Sequence, residues 1–147
     1  VQHFQDKAAN MLLGDAEMRK ALAECASVAI IGAKDKPGSP VDRVGRYLIE
    51  KGFAVYPVHP VRKNVWGLPT FARLTEIEQP IDIVNLFRAS ENCPEHARET
   101  LQLAVPPKIF WMQLGIFSFE ARTILSGSPL MVVEDLCLMV EHRRLFK

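Results

Sequence analysis

The sequence predicts an α/β fold, a doubly wound parallel sheet of five strands ordered 3-2-1-4-5 and covered by helices on both faces, three layers in all. Three observations carry that expectation. Short apolar runs at 28–31, 53–58, 81–87, 108–114 and 130–133 lack the polar alternation of a half-exposed strand, so they read as strands buried on both faces. Helical stretches of about ten residues separate them, the alternation that a parallel sheet requires. Right-handed crossovers between parallel strands then place helices on both sides.

Each element has its own local reason. Residues 1–26 read as an N-terminal helical extension preceding a domain over 27–147. Met18, Ala21, Leu22 and Cys25 fall at i, i+3, i+4 and i+7, one helical face, and Gly14-Asp15 before them is a break followed by an N-cap candidate. Val41, Val44, Gly45, Leu48 and Ile49 form the apolar stripe of a helix that Gly52 ends. The second strand stops at Pro60. Residues 61–80 read as a connection, with one turn at 74–77. Asn92-Cys93-Pro94-Glu95 resembles a capping box with proline in the first turn, and Ala97, Leu101 and Ala104 continue that helix. The fourth strand ends at Gly115, and Ser118 caps a helix reaching to Gly127. Residues 135–147 fit either a short helix or an extended tail.

Composition narrows the function classes. A chain of 147 residues, 48% hydrophobic and 24% charged, forms one globular core. Lys plus Arg number 18 against 17 Asp plus Glu, which provides no general field for nucleic acid or an anionic membrane. No apolar run reaches the ~20 residues of a membrane span. Residues 1–6 are polar and lack the order of a signal peptide, so a cytoplasmic protein is expected. Cys25, Cys93 and Cys137 are odd in number, widely spaced and without zinc spacing, so reduced thiols and no metal site are expected.

The most informative segment is Val28-Ala29-Ile30-Ile31-Gly32-Ala33-Lys34, where a buried strand ends in glycine before a lysine-bearing loop and a helix. This is the strand–loop–helix opening of a Rossmann-like domain, in which a helix N-terminus meets a phosphate. Ligands of open α/β sheets bind beyond the C-terminal ends of the strands. The residues that follow the strands are Gly32, Ala33, Lys34 and Lys36; His59, Pro60, Arg62 and Lys63; Phe87, Arg88 and Ser90; and Gln113, Leu114 and Gly115. A rim with that many basic residues suits a ligand with several phosphates. The glycine spacing matches neither the dinucleotide fingerprint nor a P-loop. A carboxylate that would hold an NAD ribose is missing after the second strand, where His59-Pro60 stands with Arg62 and Lys63 behind it. Cations there favour a phosphorylated ribose, either NADP or coenzyme A.

A family resemblance bears on that choice. The opening strand and loop are joined by Arg43-Val44-Gly45-Arg46-Tyr47-Leu48, Gly52-Phe53-Ala54-Val55-Tyr56-Pro57-Val58-His59-Pro60 and Gly67-Leu68-Pro69-Thr70-Phe71. Ile81-Asp82-Ile83-Val84-Asn85-Leu86-Phe87-Arg88, Trp111-Met112-Gln113-Leu114-Gly115-Ile116 and Cys137-Leu138-Met139-Val140-Glu141-His142-Arg143-Arg144-Leu145 complete the set. Together they resemble the small stand-alone CoA-binding proteins, which are similar to the N-terminal CoA-binding domain of the succinyl-CoA synthetase α subunit. The resemblance covers roughly residues 26–145. It implies that Gly32, Ala33, Lys34 and the loop through Lys36 to Arg43 hold the pyrophosphate. It places Pro60, Arg62 and Lys63 near the adenosine and its 3′-phosphate. Phe87, Arg88, Met112, Gln113 and Gly115 would line the pocket for adenine or the pantetheine arm.

Catalytic machinery is not evident. None of His3, His59, His96 and His142 sits in a recognisable catalytic motif. Cys93 and His96 lie at i and i+3 at a helix start, where a thiol pKa can be lowered. The expected function is a binding module for coenzyme A or an acyl-CoA, acting on a small molecule, with a homo-oligomer or protein partner possible. The alternative is an NADP-linked oxidoreductase, or an acyl-CoA enzyme working with a partner subunit.

Overall fold

The structure, a computed structural model, describes residues 13–147. The first twelve residues of the expected extension lie outside the described residues. The elements run α1 (Asp15–Ala23), β1 (Ser27–Ile31), α2 (Pro40–Glu50), β2 (Ala54–Val58), β3 (Ile83–Leu86), α3 (Cys93–Leu101), β4 (Ile109–Met112), α4 (Phe119–Leu125), β5 (Met131–Val133) and α5 (Leu138–Leu145). Single 3₁₀ turns sit at Val65–Gly67, Leu74–Glu76 and Ser90–Asn92.

The five strands pair in parallel throughout, as expected for this class. Their order is 2-1-3-4-5, not 3-2-1-4-5. The reason lies in residues 59–80. Outside β2, where the other order would place a third strand, the chain makes a single parallel bridge between Val58 and Phe71. Phe71 N–H donates to Pro57 O, and His59 N–H to Phe71 O, both at 2.9 Å. The segment then crosses over and enters β3 on the other side of β1. Pro57 is tolerated in β2 because its backbone faces that outer edge, where no ladder bond to β1 is lost.

Residues alternate between two cores. Val28, Ile30, Ile83, Ile109 and Trp111 face Met18 and Leu22 of α1, Val44 and Leu48 of α2, and Leu138 of α5. Ala29, Ile31, Val84, Leu86, Phe110 and Met112 face Ala97 of α3, Ala121 and Leu125 of α4, and Leu74. Each fully buried Leu, Ile or Phe contributes roughly 1.5–3 kcal/mol of transfer free energy, which is why the strand sequences tolerate no polar alternation.

Two helix starts follow the sequence signals, whereas Gly14 and not Asp15 takes the N-cap position of α1, with no side-chain cap, and α3 stops at Leu101, short of Ala104. Ser39 accepts from Asp42 N–H and Pro40 occupies the first turn of α2; Ser118 accepts from Ala121 N–H at the start of α4. Asn92 makes no side-chain cap, because it closes the 3₁₀ turn Ser90–Asn92 and already has helical dihedrals. The ambiguous tail is helix α5. Arg144 bonds both Asp15 (2.7 and 2.9 Å) and Glu141, and Arg19 Nε donates to Leu145 O, so α1 and α5 brace each other on one face.

A cleft at the sheet switch point

The chain leaves β1 toward α2 and β2 on one side, and leaves β3 toward α3 and β4 on the other. Between these divergent connections, beyond the C-terminal ends of β1 and β3, opens a cleft of about 490 Å³. Gly32, Lys34, Pro40, Val41, His59, Pro60, Phe87 and Arg88 line it. Three strand ends and one helix N-terminus thus supply the whole wall.

Gly32 forms the floor. Its φ is +88°, and a Cβ there would collide with the carbonyl oxygen of Phe87 and lie 3.2 Å from the carbonyl carbon. Only glycine lets β1 end this close to the backbone leaving β3. The N–H groups of Gly32 and Ala33 both donate to Val58 O, at 3.0 and 3.2 Å, so these two amides fasten β1 to β2. At the mouth of α2, Pro40 has no N–H and Ser39 takes that of Asp42. Val41 N–H has no partner among the described residues and stands in the first turn, where the helix dipole favours an anion.

The electrostatics of the cleft are positive. No hydrogen bond or ion pair within the described residues engages the side chains of Lys34 or Arg88. Burial, together with their charges and that of Arg62, holds His59 below its ordinary value of 6.5. Asp35, the nearest carboxylate in the loop, turns toward the backbone N–H of Trp66 at 3.4 Å. Trp66 lies against Gly45 of α2, with its indole N–H donating to Asp42 at 2.9 Å, so the connection after β2 is strapped to the helix that borders the cleft.

Comparison with known proteins agrees with this geometry. The family described as "CoA binding domain" matches residues 26–143. The chain belongs to the CoA-binding domain family. It is 35% identical over 127 residues to the uncharacterized protein YneT of Bacillus subtilis (strain 168), covering 86% of this chain and 93% of that one. It is similar to the solved structure of cell-free ID.343 from Thermus thermophilus, with 37% identity and a TM-score of 0.84 over 90% of this chain and 99% of the other. A hypothetical protein from Pyrococcus horikoshii OT3 superposes with a TM-score of 0.87 at 30% identity, covering 92% and 94% of the two chains.

Of the residues that resemblance to CoA-binding proteins singled out, Gly32, Lys34, Pro60, Phe87 and Arg88 meet in the cleft. Ala33 is buried beneath it. Lys36 and Arg43 are exposed on the loop and the first turns of α2, and Arg62 and Lys63 are exposed just past Pro60. Met112 is fully buried in the core on the α3 face. Gln113 is interior as well: its Oε1 accepts from Asn85 Nδ2 and from Leu138 N–H, both at 3.3 Å, which ties the start of α5 to β3 and β4. Gly115 N–H donates to Asp135 at 2.7 Å. Pro40 and Val41 are lining residues that sequence reasoning passed over. The Ser39 cap followed by proline was their signal, because it fixes where the helix opens.

Burial pushes the Cys93 thiol up to about 11 and Cys25 up to about 12, so neither is a thiolate near neutrality. His96 Nδ1 pairs with Glu99 at 2.8 Å, not with Cys93. Among the described residues no cluster of His, Cys, Asp and Glu is arranged to hold a metal ion, and no helix is long and apolar enough to cross a membrane.

Proposed function

We propose that this protein binds coenzyme A or an acyl-CoA as a cytosolic binding module, with residues 27–147 as the binding unit and α1 buttressing one face. One observation carries the reading. A cleft at the sheet switch point is flanked by the cations Lys34 and Arg88, which have no ion-pair partner among the described residues, and His59-Pro60 stands where an NAD ribose would need a carboxylate. The pyrophosphate lies against Lys34 and the first turn of α2, with Lys36 and Arg43 adding positive potential from the outside. The adenosine 3′-phosphate lies toward Pro60, Arg62 and Lys63. The pantetheine arm runs past Phe87 and Arg88 along the β3–β4 rim toward Gly115, above the buried Met112 and Gln113. Family membership supports the same ligand.

Thermal shift with CoA, acetyl-CoA, dephospho-CoA, NAD, NADP and ATP tests this. A ligand at ~100 times its Kd stabilises the native state by about 2.7 kcal/mol. Stabilisation by CoA and acetyl-CoA is expected, with less from dephospho-CoA. Stabilisation by NADP alone would replace this reading with the oxidoreductase one.

A further inference from the structure

We infer that His59 is a positioning residue: its neutral ring folds the segment after β2 into the turn that carries Arg62 and Lys63 just outside the cleft, past Pro60. The ring lines the cleft, and its Nδ1 accepts two backbone hydrogen bonds, from Val61 N–H at 3.1 Å and Arg62 N–H at 2.9 Å. A nitrogen that accepts two N–H groups carries no proton, so the ring proton sits on Nε2. That Nε2–H is the ring's one remaining donor, and it has no partner among the described residues.

The segment has few other restraints. Val61, Arg62, Lys63 and Asn64 are all exposed, and the next anchor is Val65 N–H, which donates to Thr70 Oγ1 at 2.9 Å. Between His59 N–H, bonded to Phe71 O, and Asn64 O, which accepts from Gly67 N–H at 3.0 Å, the two bonds to Nδ1 are the hydrogen bonds that hold the backbone of Val61 and Arg62 among the described residues. Protonating Nδ1 would point an N–H at two other N–H groups and release both. The charged groups facing the ring oppose that outcome: Lys34 from the β1–α2 loop, Arg62 from its own turn and Arg88 from the β3–α3 connection, all positive. Burial of the ring, with these cations beside it, keeps the histidine in the form that shapes the site.

This inference rests on the proposed CoA reading only for its ligand, and the experiment separates the two. The imidazole ¹⁵N shifts of the full chain, free of ligand, report the tautomer directly. The expected result is the neutral Nε2–H form at neutral pH, with a titration midpoint below the ordinary 6.5. An Nδ1–H tautomer, or titration at the ordinary value of 6.5, overturns the inference whatever the protein binds. Calorimetry with CoA then compares His59→Asn, whose short amide oxygen accepts from the backbone two residues on, with His59→Phe, which has no acceptor. His59→Asn is expected to bind within about threefold of the parent, and His59→Phe at least roughly tenfold more weakly, since two backbone bonds that order the turn are lost. Equal binding by the two variants overturns the positioning role. A parent protein that shows the expected tautomer but no heat with CoA refutes the ligand assignment and leaves the turn intact.

Discussion

Gly32→Ala isolates the feature on which the cleft depends. Two costs add. An L-residue held at φ +88° loses about 1–2 kcal/mol relative to glycine. The new Cβ also meets Phe87's carbonyl, which is backbone and cannot rotate away, and relieving such overpacking costs another 1–3 kcal/mol or so. A total of about 3 kcal/mol corresponds to a fall in melting temperature of roughly 9 °C for a domain of this size. Gly38→Ala is the control, because Gly38 has φ +85° but open space around its Cβ position. It bears only the dihedral cost, about 1–2 kcal/mol. Thermal unfolding followed by circular dichroism reads both variants under one buffer. Gly32→Ala should fall several degrees below Gly38→Ala and lose CoA affinity as the Phe87 wall moves. Equal melting temperatures for the two variants would refute the claim that close approach of the β3 exit, rather than the turn alone, demands glycine.

Other consequences are as direct. Arg62→Ala combined with Lys63→Ala should weaken CoA much more than dephospho-CoA in calorimetry; equal weakening of both removes the 3′-phosphate role. Gly45→Ala should push the Trp66 ring off α2 and red-shift its fluorescence, because a Cβ there occupies the ring's position; an unchanged spectrum, judged against Trp66→Phe for the contribution of Trp111, contradicts that packing. His59 and His142 are both held below 6.5 by burial, His142 beside Tyr47 Oη at 2.7 Å. The unfolded chain then takes up protons that the native state resists, so stability is lost as pH falls below about 6.5 and levels off below the folded-state values. Melting temperature should drop between pH 7.5 and 5, and His142→Phe should drop by less than the parent across that window; an identical pH slope argues against the histidine as its source.

The strands and the cleft floor were readable in the sequence because their signals are local. An unalternating apolar run followed by glycine specifies both a buried strand and a close backbone approach, and Val28 to Gly32 provides both. Phe87 and Arg88 were readable for the same reason, as the residues that leave a strand. Sheet order was not readable, because it depends on where residues 59–80 travel, and a one-residue bridge at Phe71 leaves no periodicity. Gln113 has an interior role that its position alone did not signal. Its place after a strand pointed to a ligand, but the amide serves Asn85 and the start of α5, a use fixed by a helix that packs 25 residues later. Asn92 fits the capping pattern by composition and misses it by geometry, since a preceding 3₁₀ turn consumes the dihedrals a cap needs.

Amide chemical-shift mapping of the ¹⁵N-labelled protein titrated with CoA locates the ligand on the fold. Saturable shifts concentrated at 32–41, 59–63 and 87–88, the loops around the cleft, are expected, with the same shifts weakened in Arg88→Ala. An absence of shifts at millimolar CoA, or shifts gathered elsewhere, such as along the outer edge of β2, would contradict CoA binding in this cleft.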